Sequence, residues 1–297
     1  MKEIDNSEKL LKPKIDVVFH ALFREENKHL LEELISSILK EKVKVKTTDK
    51  NRYLEIKNSE EKLGIMDLRA ELEGNKQCII EIQLKQYSNE NDRILYYWAN
   101  SYQRQLLRGK DYKTLNKTIS IVILDHEIEE LKNIENLGVK WKIRDDINGN
   151  RILTDKLEIV IIEIPKAIRK YKENKKESIS QWMMFLDNPN NEEVSQIMED
   201  NKGIKEAVEE LEKMNDDDTL RRIAELREKA IRDDKAAMDF AIEKGMQKGI
   251  EKGIEKGIEK GIEKVAKEML KAHMDIEQIM EVTKLNRETL EKIKKEV

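Results

Sequence analysis

Between residues 16 and 40 apolar side chains return at four-residue spacing: Val18/Leu22, Phe19/Phe23, Leu31/Ile35 and Leu30/Leu34/Ile38. That spacing predicts a helix with one apolar stripe over the whole segment. From about residue 43 to 85 the period becomes two. Val43-Lys44-Val45 alternates, Tyr53-Leu54-Glu55-Ile56 is strand-like, and two longer strands follow. A helix is expected from about Asn89 to Arg108, ending near Gly109, with Ile94, Leu95, Trp98, Tyr102 and Leu106 on its core side. Ile119 to Leu124 and Leu157 to Ile164 are apolar, β-branched runs that predict buried strands. Pro165 stops the second run, and Asn148-Gly149-Asn150 is a turn signal between them. Helix, three or four strands, helix, strand, short helix, strand is the order of an α/β protein with a mixed sheet flanked by helices.

Past residue 166 no strand pattern remains. Trp182, Met183, Phe185 and Leu186 are expected to complete the first core, with a boundary turn at Asp187-Asn188-Pro189-Asn190. The expected organisation is a first domain over 1–187, a helical extension over 188–244, a repeat over 245–264 and a small helical unit over 265–297. In the repeat, Gly245, Gly249, Gly253, Gly257 and Gly261 recur every four residues within Gly-Ile-Glu-Lys units. In a helix each four-residue step drifts by about 40°, so the glycine and isoleucine stripes wind around the axis. Each glycine costs about 0.5–1 kcal/mol relative to alanine. The segment reads either as a helix open to close approach by a partner helix or as a low-complexity connector. Residues 265–297 give three short helical patterns, an assembly unit or a helix-turn-helix.

Composition narrows the class. Charged residues make up 40% of the 297 and hydrophobic residues 38%, with no apolar run of membrane-spanning length. A single cysteine, Cys78, forms no internal disulfide, and the first residues are too charged for a secretory signal, so a cytoplasmic protein is expected. Four scattered histidines argue against structural zinc. The net charge of −4 neither supports nor excludes nucleic-acid binding, which needs a local basic track.

Candidate chemistry concentrates in Gly64-Ile65-Met66-Asp67-Leu68-Arg69-Ala70-Glu71-Leu72, a Gly-Asn turn, and Cys78-Ile79-Ile80-Glu81-Ile82-Gln83-Leu84-Lys85. Side chains alternate across a strand, so packing Met66, Leu68, Ala70, Leu72, Cys78, Ile80, Ile82 and Leu84 inward gathers Asp67, Glu81, Gln83 and Lys85 on one polar surface. Asp67 shares a face with Glu81 or Gln83 only if paired residue numbers sum to an even value such as 148 or 150. A two-residue Gly74-Asn75 turn gives 149, so an odd-length loop or a bulge is expected. Two carboxylates on neighbouring strands suit Mg²⁺ or Mn²⁺, with Gln83 orienting water and Lys85 supplying positive charge. Taken by itself, the hairpin fits a solvated face of cross-strand pairs better than a metal site, because Asp-x13-Glu-x-Gln is a weak pattern.

Several blocks together resemble the PD-(D/E)XK nuclease family transposases, the recombination-promoting nucleases. They are Asp16-Val17-Val18-Phe19-His20-Ala21-Leu22-Phe23; Asp67 with Glu81-Ile82-Gln83; Arg93, Tyr97, Tyr102, Gln105-Leu106, Gly109 and Tyr112; Leu153 to Glu158 leading to Glu163-Ile164-Pro165-Lys166; and Arg232 to Asp239 with the glycine repeat. The resemblance implies a restriction-endonuclease-like core and metal-dependent DNA cleavage linked to recombination or mobile elements. Asp67 and Glu81 match the metal-binding acids. Gln83 stands where much of the wider superfamily carries lysine, which leaves open a catalytically inactive scaffold that binds nucleic acid or partners. His20 stands where many members have lysine. Asp16 is either a third acid or a helix cap. Arg93, Tyr97, Asn100 and Arg104 form a stripe that would face phosphate. A homo-oligomer through the C-terminal helices is expected.

Overall fold

A computed structural model describes residues 9–48 and 68–295. The chain divides into two compact units, residues 1–231 and 232–297.

The first unit opens with α1, Asp16–Leu22, and α2, Lys28–Leu39. The single helix expected over 16–40 is therefore two. Arg24 is extended (φ −66°, ψ 170°), and a one-turn 3₁₀ segment, Glu25–Asn27, separates them. Periodicity survives the break because Phe19 and Phe23 pack ring to ring (4.7 Å) while α2 buries its own stripe. Strand β1, Val45–Thr48, follows. Tyr53–Ile56 and Asp67 lie outside the described residues.

Strands β2, Leu68–Leu72, and β3, Gln77–Gln83, form an antiparallel hairpin. Their register pairs Leu68 with Ile80 and Glu71 with Gln77, so paired numbers sum to 148. The loop is Glu73-Gly74-Asn75, an odd number of residues as expected, closed by Leu72 N–H donating to Lys76 O at 2.8 Å. Gly74 (φ 77°) and Asn75 (φ 59°) take the left-handed conformations that this loop needs. Strand β3 ends at Gln83, two residues short of the expected strand, so Lys85 sits in a bend beyond it.

Helix α3, Glu90–Arg104, crosses to β4, Thr118–Leu124, which runs parallel to β3 and is buried throughout. The helix stops four residues before the expected end at Arg108. Strand β5, Val139–Trp141, gave no sequence signal because three residues are too short to show a period. Strand β6, Leu157–Glu163, is parallel to β4, and Pro165 then enters the first turn of α4, Ile164–Glu173. The sheet order is β1-β2-β3-β4-β6-β5, a mixed six-stranded sheet flanked by helices.

Helix α5, Ser178–Asp187, buries Trp182, Met183, Phe185 and Leu186 as expected. Helices α6, Glu192–Asp200, and α7, Lys202–Asn215, add Val194, Ile197, Ile204, Ala207, Val208 and Leu211 to the same core. The charged segment after Asp187 thus contributes to the core of the first unit.

Helix α8, Asp218–Lys271, begins in the first unit, where Leu220 and Ala224 are buried, and continues into the second. The glycine repeat is helical, and a Cβ added at any of its five glycines would meet nothing within 4 Å. The second unit closes with α9, Ile276–Thr283, and α10, Arg287–Lys294. Asp275 and Asn286 accept hydrogen bonds from the Glu277 and Thr289 amides and cap these helices. Ala266, Ile279, Leu290 and Ile293 form their small core. No helix among the described residues is long and apolar enough to cross a membrane.

Candidate active site beside the hairpin

The sheet has two faces. Leu68, Ala70, Leu72, Cys78, Ile80, Ile119, Ile121, Ile123 and Ile162 join the large core with α1, α2 and α5. On the other face Val122, Leu124, Ile159 and Ile161 pack with Ile94 and Trp98 of α3. Alternation puts Glu81 and Gln83 on this second face, because their neighbours on β4 are Val122 and Leu124. Both are only 2% exposed, so these two side chains are withdrawn from solvent, whereas Arg69 and Glu71 of β2 are half-buried and Glu71 pairs with Lys46 at 3.2 Å. The Gln83 side-chain amide donates to Glu81 Oε1 at 3.1 Å, and its own oxygen, Gln83 Oε1, is buried with no partner. A buried acceptor left unpaired costs about 1–3 kcal/mol. Its orientation is fixed, since the nitrogen is held by Glu81.

The C-terminal ends of β3, β4 and β6 carry further polar groups. Asp125 N–H donates to Gln83 O at 2.9 Å, fastening the segment after β4 to the end of β3. The Asp125 carboxylate turns to the large-core side, where Lys14 Nζ bridges it (2.9 Å) to Asp187 (2.7 Å). Burial alone would lower the Lys14 ammonium, but its hydrogen bonds to Asp187 and Asp125 outweigh that and raise it, so the bridge is charged. His126 lies on the opposite side, with Nε2 2.7 Å from Glu90 Oε2 on α3. Glu163 accepts from Ile128 N–H at 2.7 Å and pairs with Lys166.

The expected site residues separate into groups. Glu81 and Gln83 are together; Asp67 lies outside the described residues. Lys85 is half-buried just past β3. Asp16 is the first residue of α1, and Ile15 holds the cap position. Its carboxylate accepts from Val17 N–H at 2.9 Å and lies 3.8 Å from Arg227. His20 is buried. Arg93 stacks over Tyr87 (4.1 Å) and Tyr97 (5.6 Å), whereas Arg104 is exposed. Leu95, expected in the core, is 53% exposed, because α3 turns Ile94 and Trp98 inward instead. Lys14 and the Glu90–His126 pair escaped the sequence reading. The available signal for His126 was its place just beyond a buried parallel strand, where sites of α/β sheets gather.

The donor chemistry fits a hard divalent cation, since Glu81 offers a buried carboxylate as an oxygen ligand, and the unpartnered Gln83 Oε1 beside it can accept a hydrogen bond. Among the described residues no cluster of three or more His, Cys, Asp or Glu is placed to hold a metal. The family model described as PD-(D/E)XK nuclease family transposase matches residues 13–241. No curated protein and no solved structure gives a significant match.

Proposed function

The chain belongs to the PD-(D/E)XK nuclease family transposases, and we propose on that premise that it is a Mg²⁺- or Mn²⁺-dependent DNA endonuclease acting in recombination or mobile-element processes. The observation that carries this reading is the buried Glu81–Gln83 pair with its unpaired acceptor, close to the end of β3. Asp67 and Glu81 would hold the ion. When bound, such an ion neutralises phosphate charge and lowers the pKa of coordinated water.

The chain's own groups then have separate tasks. The Gln83 amide keeps the Glu81 carboxylate oriented, and Gln83 Oε1 accepts a hydrogen from water and so aims its oxygen. Lys85 adds positive charge near the end of β3, in place of the superfamily lysine. Asp16 assists by fixing the start of α1 against Arg227. Arg104 contacts backbone phosphate, and Arg93 with Tyr97 shapes the adjoining surface. The exposed Ile250, Ile254 and Ile258 of α8 support assembly with a second copy. The lone buried thiol, Cys78, suits a cytoplasmic setting.

The test is supercoiled plasmid cleavage by the full chain with Mg²⁺ or Mn²⁺, with EDTA, and with Asp67→Ala. Wild type should cut only with metal, and Asp67→Ala should lose at least about a thousandfold. Equal nicking under all conditions would refute the nuclease reading, and preference for an RNA substrate would reassign it.

A further inference from the structure

The Glu90–His126 pair is unusual on physical grounds. Glu90 is 6% exposed, and the His126 side chain 15%. Glu90 Oε1 and His126 Nδ1 are both buried without a hydrogen-bond partner. A core pair serving stability alone is usually fully hydrogen-bonded, because each unmet atom costs free energy. Here both partners keep one atom unmet, and the pair stands beside the end of β3.

Three observations place His126 on the face that carries Glu81 and Gln83. The strand register sets Gln83 beside Leu124, which belongs to the second-face cluster. Asp125, bonded through its N–H to Gln83 O, sends its carboxylate to Lys14 and Asp187 on the opposite side. Glu90, which holds His126, belongs to α3, the helix covering the second face. The 2.7 Å contact joins His126 Nε2 to Glu90 Oε2. In the tautomer that carries its hydrogen on Nε2 and donates it to the carboxylate, the lone pair lies on the unpartnered Nδ1. Carboxylate on one nitrogen and a free lone pair on the other is the arrangement by which hydrolases orient a histidine base.

We propose that His126 is the general base of this site and Glu90 its positioning residue; this rests on the nuclease reading above. The oxygen of water bonds to phosphorus as its proton passes to His126 Nδ1. The bond from phosphorus to one bridging oxygen breaks, its electron pair stays on that oxygen, and the oxygen takes a proton from solvent. The imidazolium returns its proton to solvent. The chain thereby supplies proton transfer that Gln83, which has no titratable group, does not.

The test compares full-length wild type, His126→Ala and Glu90→Gln on supercoiled plasmid with Mg²⁺, with and without added imidazole, after matching folds by circular dichroism and melting. His126→Ala should lose about 10²–10⁴-fold in kcat with KM unchanged within about twofold. Imidazole should return at least about tenfold, since it can occupy the vacated space. Glu90→Gln should lose less and gain nothing from imidazole. A folded His126→Ala that cuts within about threefold of wild type overturns the proposal, as does a loss confined to KM or one that imidazole leaves unchanged. If His126→Ala does not fold, His126→Gln takes its place, and a kcat within about threefold of wild type overturns the proposal in the same way. Inactive wild type overturns the nuclease reading itself, and this assignment with it.

Discussion

The two faces of the central sheet are built from the same three strands and do opposite work. Cys78, Ile80, Ile119, Ile121, Ile123 and Ile162 point into a large apolar core shared with α1, α2 and α5. Glu81, Gln83 and Glu163 point the other way, into a smaller cluster roofed by α3, and two of the unpaired buried atoms nearby belong to Gln83 and Glu90. Burial of apolar surface, at about 25 cal/mol per Å², holds the first face. The second face tolerates unmet hydrogen bonds that folding alone would disfavour. The difference separates the residues that make the sheet from those the sheet exists to position.

That contrast breaks first under a core truncation. Ile121→Ala, on the dry face and fully buried, should lower stability by about 2–5 kcal/mol, read as a shift in the denaturant midpoint. Gln83→Leu, on the face covered by α3, should instead leave stability almost unchanged and act on the rate. Losing the bond to Glu81 is offset by removing an unpaired acceptor, so stability should change by less than about 1 kcal/mol while the cleavage rate falls about a hundredfold. Loss of fold in that variant would erase the distinction between the faces.

A third substitution sharpens the comparison through pH. Glu158 lies in the row of Ile119 and Cys78, on the dry side of the sheet. Burial would raise its carboxyl, but the hydrogen bond and charge of Lys117 (2.7 Å), with Lys140 and Lys142, hold it below the usual carboxylate range. A depressed folded value stabilises above the unfolded value of about 4.3 and loses that contribution as pH falls through the folded one. Glu158→Gln should therefore cost about 1–2 kcal/mol at pH 7 and progressively less below about pH 4, measured by melting across that range. The smallest effect belongs to the repeat. Gly253→Ala meets no atom and should raise helix stability by about 0.5–1 kcal/mol, seen as a gain in helical dichroism.

Much of this arrangement was legible in the sequence, for identifiable reasons. The parity argument at Gly74-Asn75 anticipated the three-residue loop, because period-two alternation leaves register little freedom once one face is apolar. The apolar runs at 119–124 and 157–164 located β4 and β6 nearly to the residue. The break at Arg24 stayed hidden because apolar residues keep a four-residue spacing in the sequence on both sides of it, although α1 buries nearly all its residues and α2 only one stripe. Strand β5 was too short to carry a pattern. Burial of Glu81 and Gln83 was equally invisible, since polar side chains suggest solvent and the face they share with Val122 and Leu124 is packed by α3, from later in the chain. His126 and Glu90 are 36 residues apart and meet only through the crossover from β3 to β4, which no local spacing records.

The central claim is that acidic groups at this end of β3 grip a divalent cation, and calorimetric titration of the full chain with Mn²⁺ tests it most directly. Wild type should bind the ion with a stoichiometry that loses one site in Glu81→Ala, at equal helical content. Identical stoichiometry and affinity in the two proteins would contradict the account.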